Sequence, residues 1–113
     1  MQTDPYIFPR RTTLRLVWHW KDSSVQRRPM PIPETVVSVS AAIGRSDGSG
    51  TASAVPAEMD RPSGTVAITI TPAISSAMSP NVSYTLDCLT TNTDGSRWRM
   101  CQVLLAVAET ITP

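Results

Sequence analysis

Val82-Ser83-Tyr84-Thr85-Leu86-Asp87-Cys88-Leu89-Thr90 and Arg97-Trp98-Arg99-Met100-Cys101-Gln102-Val103-Leu104-Leu105-Ala106-Val107 are two strand-like runs on either side of Asn92-Thr93-Asp94-Gly95-Ser96. Asp-Gly between alternating runs is a strong short-range hairpin signal, because glycine supplies the positive φ that a tight turn requires. Centring the turn between Asp94 and Gly95 opposes Tyr84 with Leu105, Leu86 with Val103, and Cys88 with Cys101. All six then share one face. The turn was placed without reference to that agreement, so the agreement supports the register. A glycine bulge at Gly95 would slide the pairing by one residue and break it. The reverse face carries Leu89, Trp98, Met100 and Leu104, beside Asp87 and Gln102.

Upstream, Thr12 to Trp20 alternates over nine residues, with Leu14, Leu16, Trp18 and Trp20 on the face expected to enter the core. Lys21 to Ser24 reads as a turn. Three prolines between Arg27 and Glu34 (Pro29, Pro31 and Pro33) predict an extended connection or an edge strand, since proline cannot donate to a ladder. Thr35 to Ile43 is a further strand, with Val37, Val39, Ala41 and Ile43 aligned, and Asp47-Gly48 and Ser49-Gly50 mark the turn after it. Thr51 to Val55 reads as a short returning strand and Pro56 to Gly64 as a loop. Val66, Ile68 and Ile70 align in a strand over 64–71. Pro72 to Met78 suits one or two helical turns, with Thr71 as N-cap and Pro72 at the first helical position.

Residues 1–11 read as an extended N-terminal arm, because Pro5 and Pro9 exclude a regular helix. The arm holds Tyr6, Ile7 and Phe8, two of the chain's six aromatics. Leaving a large apolar side chain in water forgoes about 1.5–3 kcal/mol. The arm must therefore dock, either as a strand or strap closing its own core or on a neighbouring subunit. Residues 12–113 then form a single domain. Six or seven short strands, turn signals every 8–15 residues and at most one short helical turn predict an all-β fold, a small antiparallel β-sandwich.

A chain of 113 residues has room for one core. A formal net charge of +1 argues against a nucleic-acid or membrane-surface binder by electrostatics. No apolar run approaches the length of a membrane helix. Met1 to Pro5 lacks the charged start and apolar stretch of a secretory signal, so a protein made and kept in a cytosol, or assembled there into something larger, is expected. Two cysteines are too few for a disulfide framework or a cysteine-only zinc site, and the single histidine, His19, has no partner at ligand spacing. Neither a cofactor nor a metal is expected. The carboxylates are scattered, several in turns, and no nucleophile–base pair or phosphate-binding loop is present, so no catalytic residue is nominated. Cys88 and Cys101, opposed across the hairpin, are read as small buried hydrophobes, with a cross-strand bridge as the alternative.

Arginine outnumbers lysine nine to one. Its rigid donor fork is favoured at protein interfaces, as are Trp and Met. A chain this short has little left to cover a second sheet face. The reverse face of the hairpin is therefore either capped by the arm or turned to another subunit. The candidate interface is Tyr6, Ile7, Phe8, Leu89, Trp98, Met100 and Leu104.

The order of these features resembles the small β-sandwich structural modules of tailed-phage particles, those associated with baseplates and tail fibres or decorating the capsid. The resemblance is carried by an opening strand into a turn (Leu14-Arg15-Leu16-Val17-Trp18-His19-Trp20-Lys21-Asp22) and by the strand and helical turn over Gly64 to Met78. A closing Tyr84-Thr85-Leu86-Asp87, Asp94-Gly95 and Val103 to Val107 completes it. It covers about two thirds of the chain. The proline run over 27–34 and the aromatic arm have no counterpart in it. The resemblance implies a virion component that binds other capsid or tail proteins, as one of many copies, with no catalytic residues. A cellular sandwich that binds a ligand or carbohydrate on Trp side chains is the alternative reading.

Overall fold

The computed structural model describes residues 5–21 and 24–109. It is an all-β sandwich of two sheets with one short helix. Its strands are β1 (Tyr6–Pro9), β2 (Leu14–His19), β3 (Val36–Arg45), β4 (Ser53–Val55), β5 (Ala57–Asp60), β6 (Thr65–Ile70), β7 (Tyr84–Asn92) and β8 (Arg97–Ala108), with α1 (Pro72–Ala77) between β6 and β7. The larger sheet runs β1-β8-β7-β3-β4 and the smaller β2-β6-β5. All pairs are antiparallel except β1 with β8, which is parallel.

The core forms where the inner faces of the two sheets meet. Val66, Ile68 and Ile70 of β6 meet Leu86 and Cys88 of β7 and Leu105 of β8, all but solvent-free. Leu14, Leu16, Trp18 and Trp20 pack on its flank as the alternation of β2 requires. Thr71 caps α1, its hydroxyl accepting from the Ile74 N–H at 3.3 Å, and Pro72 occupies the first turn. That satisfies one of the orphan donors of a helix too short to stand alone.

Two elements and the strand count depart from the sequence reading, while the arm takes one of the two places it allowed. The segment 56–64, expected as a loop, contains β5, which pairs with β6 from Ala57 opposite Ile68 to Asp60 opposite Thr65. In β3 the register shifts between Val36 and Ser38, so Val36 is buried and Val37 exposed. An inserted residue resets the alternation, which is why Val37 leaves the face it was expected to share with Val39, Ala41 and Ile43. Among the described residues the strands number eight, since both β1 and β5 join sheets. The segment 6–9 lies in its own chain's sheet as β1. Phe8 opposite Val107 is buried in the core, while Tyr6 and Ile7 remain exposed on the edge.

Two arginines fasten the irregular segments. Arg61 donates to the carbonyls of Ile32 at 3.3 Å and Val36 at 2.7 Å, and also to Pro33. It thus ties the proline connection, through the Ile32 and Pro33 carbonyls, to the first residue of β3. Arg10 reaches the Ser76 carbonyl through Nη2 at 2.8 Å and pairs with Glu109, which also meets Arg11 at 3.0 Å. Gly64 sits at φ 69°, and a Cβ there would run into the Met30 carbonyl oxygen. Only glycine lets the turn before β6 pass so close to the proline run.

Candidate functional site

The hairpin holds its expected register only at the end away from the turn. Tyr84 opposes Leu105, Leu86 opposes Val103 and Cys88 opposes Cys101; beyond that the pairing slips, with Leu89 opposite Arg99, Thr90 opposite Trp98 and Thr91 opposite Arg97. Two irregularities produce this. The turn is a three-residue loop, with Asn92 N–H donating to the Ser96 carbonyl at 2.9 Å and Gly95 at φ 87°. It is the glycine-bulge geometry that the sequence reading set aside. A second bulge then makes Met100 the extra residue of β8 and restores the register at Cys101.

The slip moves two side chains to the other face. Trp98 pairs with buried Thr90 and so shares the face turned toward the smaller sheet, rather than the outer one. Met100 packs against the flank of the core. The outer face keeps Leu89 and Leu104, both half-buried and separated by the Asp87–Gln102 pair. Arg99 Nε lies 3.0 Å from Asp87 Oδ1, at an angle that makes it a charge contact rather than an aligned hydrogen bond. The four hairpin residues expected on one apolar face are thus divided, two on each side. Tyr6 and Ile7 lie at the far end of β8, opposite Leu105 and Ala106. Phe8 is inside.

Trp98 and Met100 open instead onto a groove of about 520 Å³ between the sheets, at the turn end of the hairpin. Trp20, Pro33 and Val36 form much of its other wall, and Asn92, Asp94, Ser96 and Arg99 its polar rim. Trp20 and Met100 also line an adjoining hollow of about 210 Å³ with Trp18, His19 and Arg27. The walls are held from several elements. Trp20 N–H donates to the Gly64 carbonyl at 2.6 Å, and the Trp20 carbonyl accepts from Met30 N–H at 3.1 Å. Thr93 N–H donates to the Thr35 carbonyl at 2.9 Å, tying the hairpin loop to the start of β3. Asn92 Nδ2 donates to Ser96 Oγ at 3.1 Å. The Asp94 carboxyl is held below the usual range by hydrogen bonds from the Ser96 side chain and then its backbone N–H. Trp98 itself is 67% exposed.

The groove was missed because its walls come from segments far apart in sequence. Trp20 and Trp98 meet only through the topology. The available signal was the Pro33-Glu34-Thr35 entry to β3 facing a glycine turn, and it carries no pattern of its own.

Cys88 and Cys101 sit directly beneath the bulge as free thiols, Cys88 fully buried and Cys101 half-buried. Interaction with Cys101 holds the Cys88 thiol below its ordinary range, and the same interaction, followed by burial, pushes the Cys101 thiol far up. The two sulfurs thus hold at most one negative charge between them at neutral pH. Among the described residues, no three His, Cys, Asp or Glu side chains come together as a metal site would need, and no helix is long and apolar enough to cross a membrane. The chain matches no known family model and no curated protein.

Proposed function

We propose that this protein is a structural module that works by binding other protein subunits, in many copies, within a larger assembly. Following the resemblance of its strand order, we place that assembly in a tailed-phage particle, either decorating the capsid or in the tail or baseplate, put together in the host cytoplasm. The observation that supports binding is Trp98. An indole 67% exposed, set against Trp20 and Met100 on a groove with Arg99 at its rim, combines the residue types that dominate protein–protein contacts. A second exposed apolar spot, Tyr6 and Ile7 on β1, lies at the opposite end of β8. Two different patches at opposite ends suit head-to-tail contact, in which one copy's patch meets another patch on the next. Repetition turns weak contacts into a strong one without further area.

Sedimentation over a range of concentrations tests this. Self-association is expected in the wild type and is reduced by either Trp98→Ala or Ile7→Ser. A strict monomer throughout, with neighbouring genes devoted to metabolism, would overturn both the contact reading and the phage setting.

One observation favours a second reading, a sandwich that binds carbohydrate. Trp18, Trp20 and Trp98 line adjoining hollows, and Asn92, Asp94 and Ser96 stand at the rim. Aromatic faces flanked by polar groups suit a sugar ring. Tryptophan emission that shifts on adding glycans, and does so less in Trp98→Ala, would favour this reading over the first.

A further inference from the structure

We propose that Cys88 and Cys101 form a reversible thiol–disulfide couple that clamps the hairpin at the bulge carrying Met100, and so sets the rigidity of the groove beside it. The register sets the two residues opposite one another, where a bridge can close. Directly opposed residues of an antiparallel pair have Cα atoms about 4.5–5.5 Å apart, inside the roughly 4.4–6.8 Å range of disulfides. These two are directly opposed. Both are free thiols on directly paired residues of one hairpin, so little movement separates the reduced form from the bridged one.

Their unequal burial divides the chemistry. Cys101 is half-buried and Cys88 has no exposure, so an outside reagent meets Cys101 first. With a small disulfide as oxidant, the negative charge of the pair, which favours Cys88, moves to the Cys101 sulfur as the Cys101 proton passes to Cys88. The Cys101 sulfur bonds one sulfur of the reagent, whose S–S bond breaks and releases a thiolate that takes up a proton from water. Cys88 then loses its proton and attacks the Cys101 sulfur. The mixed disulfide breaks, and a second thiol leaves. Two protein thiols are oxidised to one disulfide, and one reagent disulfide is reduced to two thiols.

The position gives the bridge its consequence. The register shifts immediately beyond Cys88, and Met100, next to Cys101, is the inserted residue. A covalent tie there fixes the point at which β8 leaves its regular ladder, and Met100 and Trp98 hang from that point into the groove. This inference concerns the hairpin alone. It stands whether the groove binds a subunit, a sugar or neither.

The test uses the full chain in oxidised and reduced glutathione mixtures, quenched with an alkylating reagent and read by mass spectrometry. The expected product is an intramolecular disulfide that forms in the native protein and reverts on adding reduced glutathione. Cys88→Ser is expected to accumulate a glutathione adduct on Cys101, and Cys101→Ser to stay unmodified while folded. Amide hydrogen exchange over 97–100 is expected to slow in the oxidised form. Thiols that remain unoxidised in the native protein, in mixtures that oxidise the urea-unfolded chain, would overturn the couple. A bridge that forms and leaves exchange over 97–100 unchanged would overturn the clamp.

Discussion

The two ends of the β7–β8 hairpin are built from the same two strands and obey different rules. From Tyr84 to Cys88 the inner side chains are covered by β6, and Leu86, Cys88 and Leu105 have no exposure at all. From Leu89 to the turn the register slips, and beyond buried Thr90 a groove takes the place of the core. Burial enforces alternation, because a one-residue slip would send every apolar side chain to the wrong face. Where burial lapses, a glycine turn can shift the ladder and a bulge can shift it back. The difference places the candidate site where the inner face of the hairpin leaves the core: the hairpin is closed by burial from Leu86 to Cys88 and open at its turn end.

The largest effect should come from breaking the closed end. Leu86→Ala removes a fully buried side chain from between the sheets and should destabilise the fold by about 2–5 kcal/mol. Trp98→Ala at the open end should change stability by less than about 0.5 kcal/mol. Urea unfolding of the two variants side by side measures the contrast. Equal losses would mean that the groove is part of the core after all.

Next comes the turn before β6, whose Gly64 carbonyl holds the backbone of Trp20 in the groove wall. Gly64→Ala must hold a side chain at φ 69° against the Met30 carbonyl. The left-handed conformation alone costs about 1–2 kcal/mol for a residue with a Cβ, and the collision adds to it. Because the Gly64 carbonyl accepts from Trp20 N–H, the same change should also shift tryptophan emission. Gly95→Ala gives the matching control. Its φ is 87° and nothing lies within 4 Å of the added Cβ, so only the conformational term of about 1–2 kcal/mol remains. A larger loss at Gly95 than at Gly64 would show that the hairpin turn, not the proline contact, holds the open end in place.

These positions also explain what could be read from sequence. The core strands β2 and β6 were legible because apolar residues recur at every second position, and the Thr71-Pro72 start of α1 because a cap and a proline are local signals. β5 was not, since Ala57-Glu58-Met59-Asp60 lies between Pro56 and Pro62 and only its pairing with β6 makes it a strand. The Cys88–Cys101 opposition emerged from a turn placed one residue wrongly, because the unseen bulge at Met100 compensates for the bulge at Gly95 that was weighed and set aside. The position of Trp98 depends on one of those bulges without the other, so the reading misplaced it while placing Cys101.

The smallest expected effect lies at the closed end's outer limit, where Glu109 joins the two ends of the chain's described fold. Its carboxyl is held below the usual range, first by the hydrogen bond from Arg10 and then by that from Arg11. A carboxyl lowered in the folded state stabilises the fold above its unfolded value of about 4.3, and that contribution fades as pH falls through the lower folded value. Glu109→Gln should therefore unfold slightly more easily than the wild type at neutral pH, and the gap should close in acid. The gap should also shrink as salt is added, because the pair is exposed to solvent. Arg10 keeps its bonds to the Ser76 carbonyl in that variant, so β1 should stay in place. Faster hydrogen exchange at Phe8 in Glu109→Gln, unaffected by salt, would instead mean that the carboxylate holds β1 against β8 directly, and that the closed end depends on charge as well as on burial.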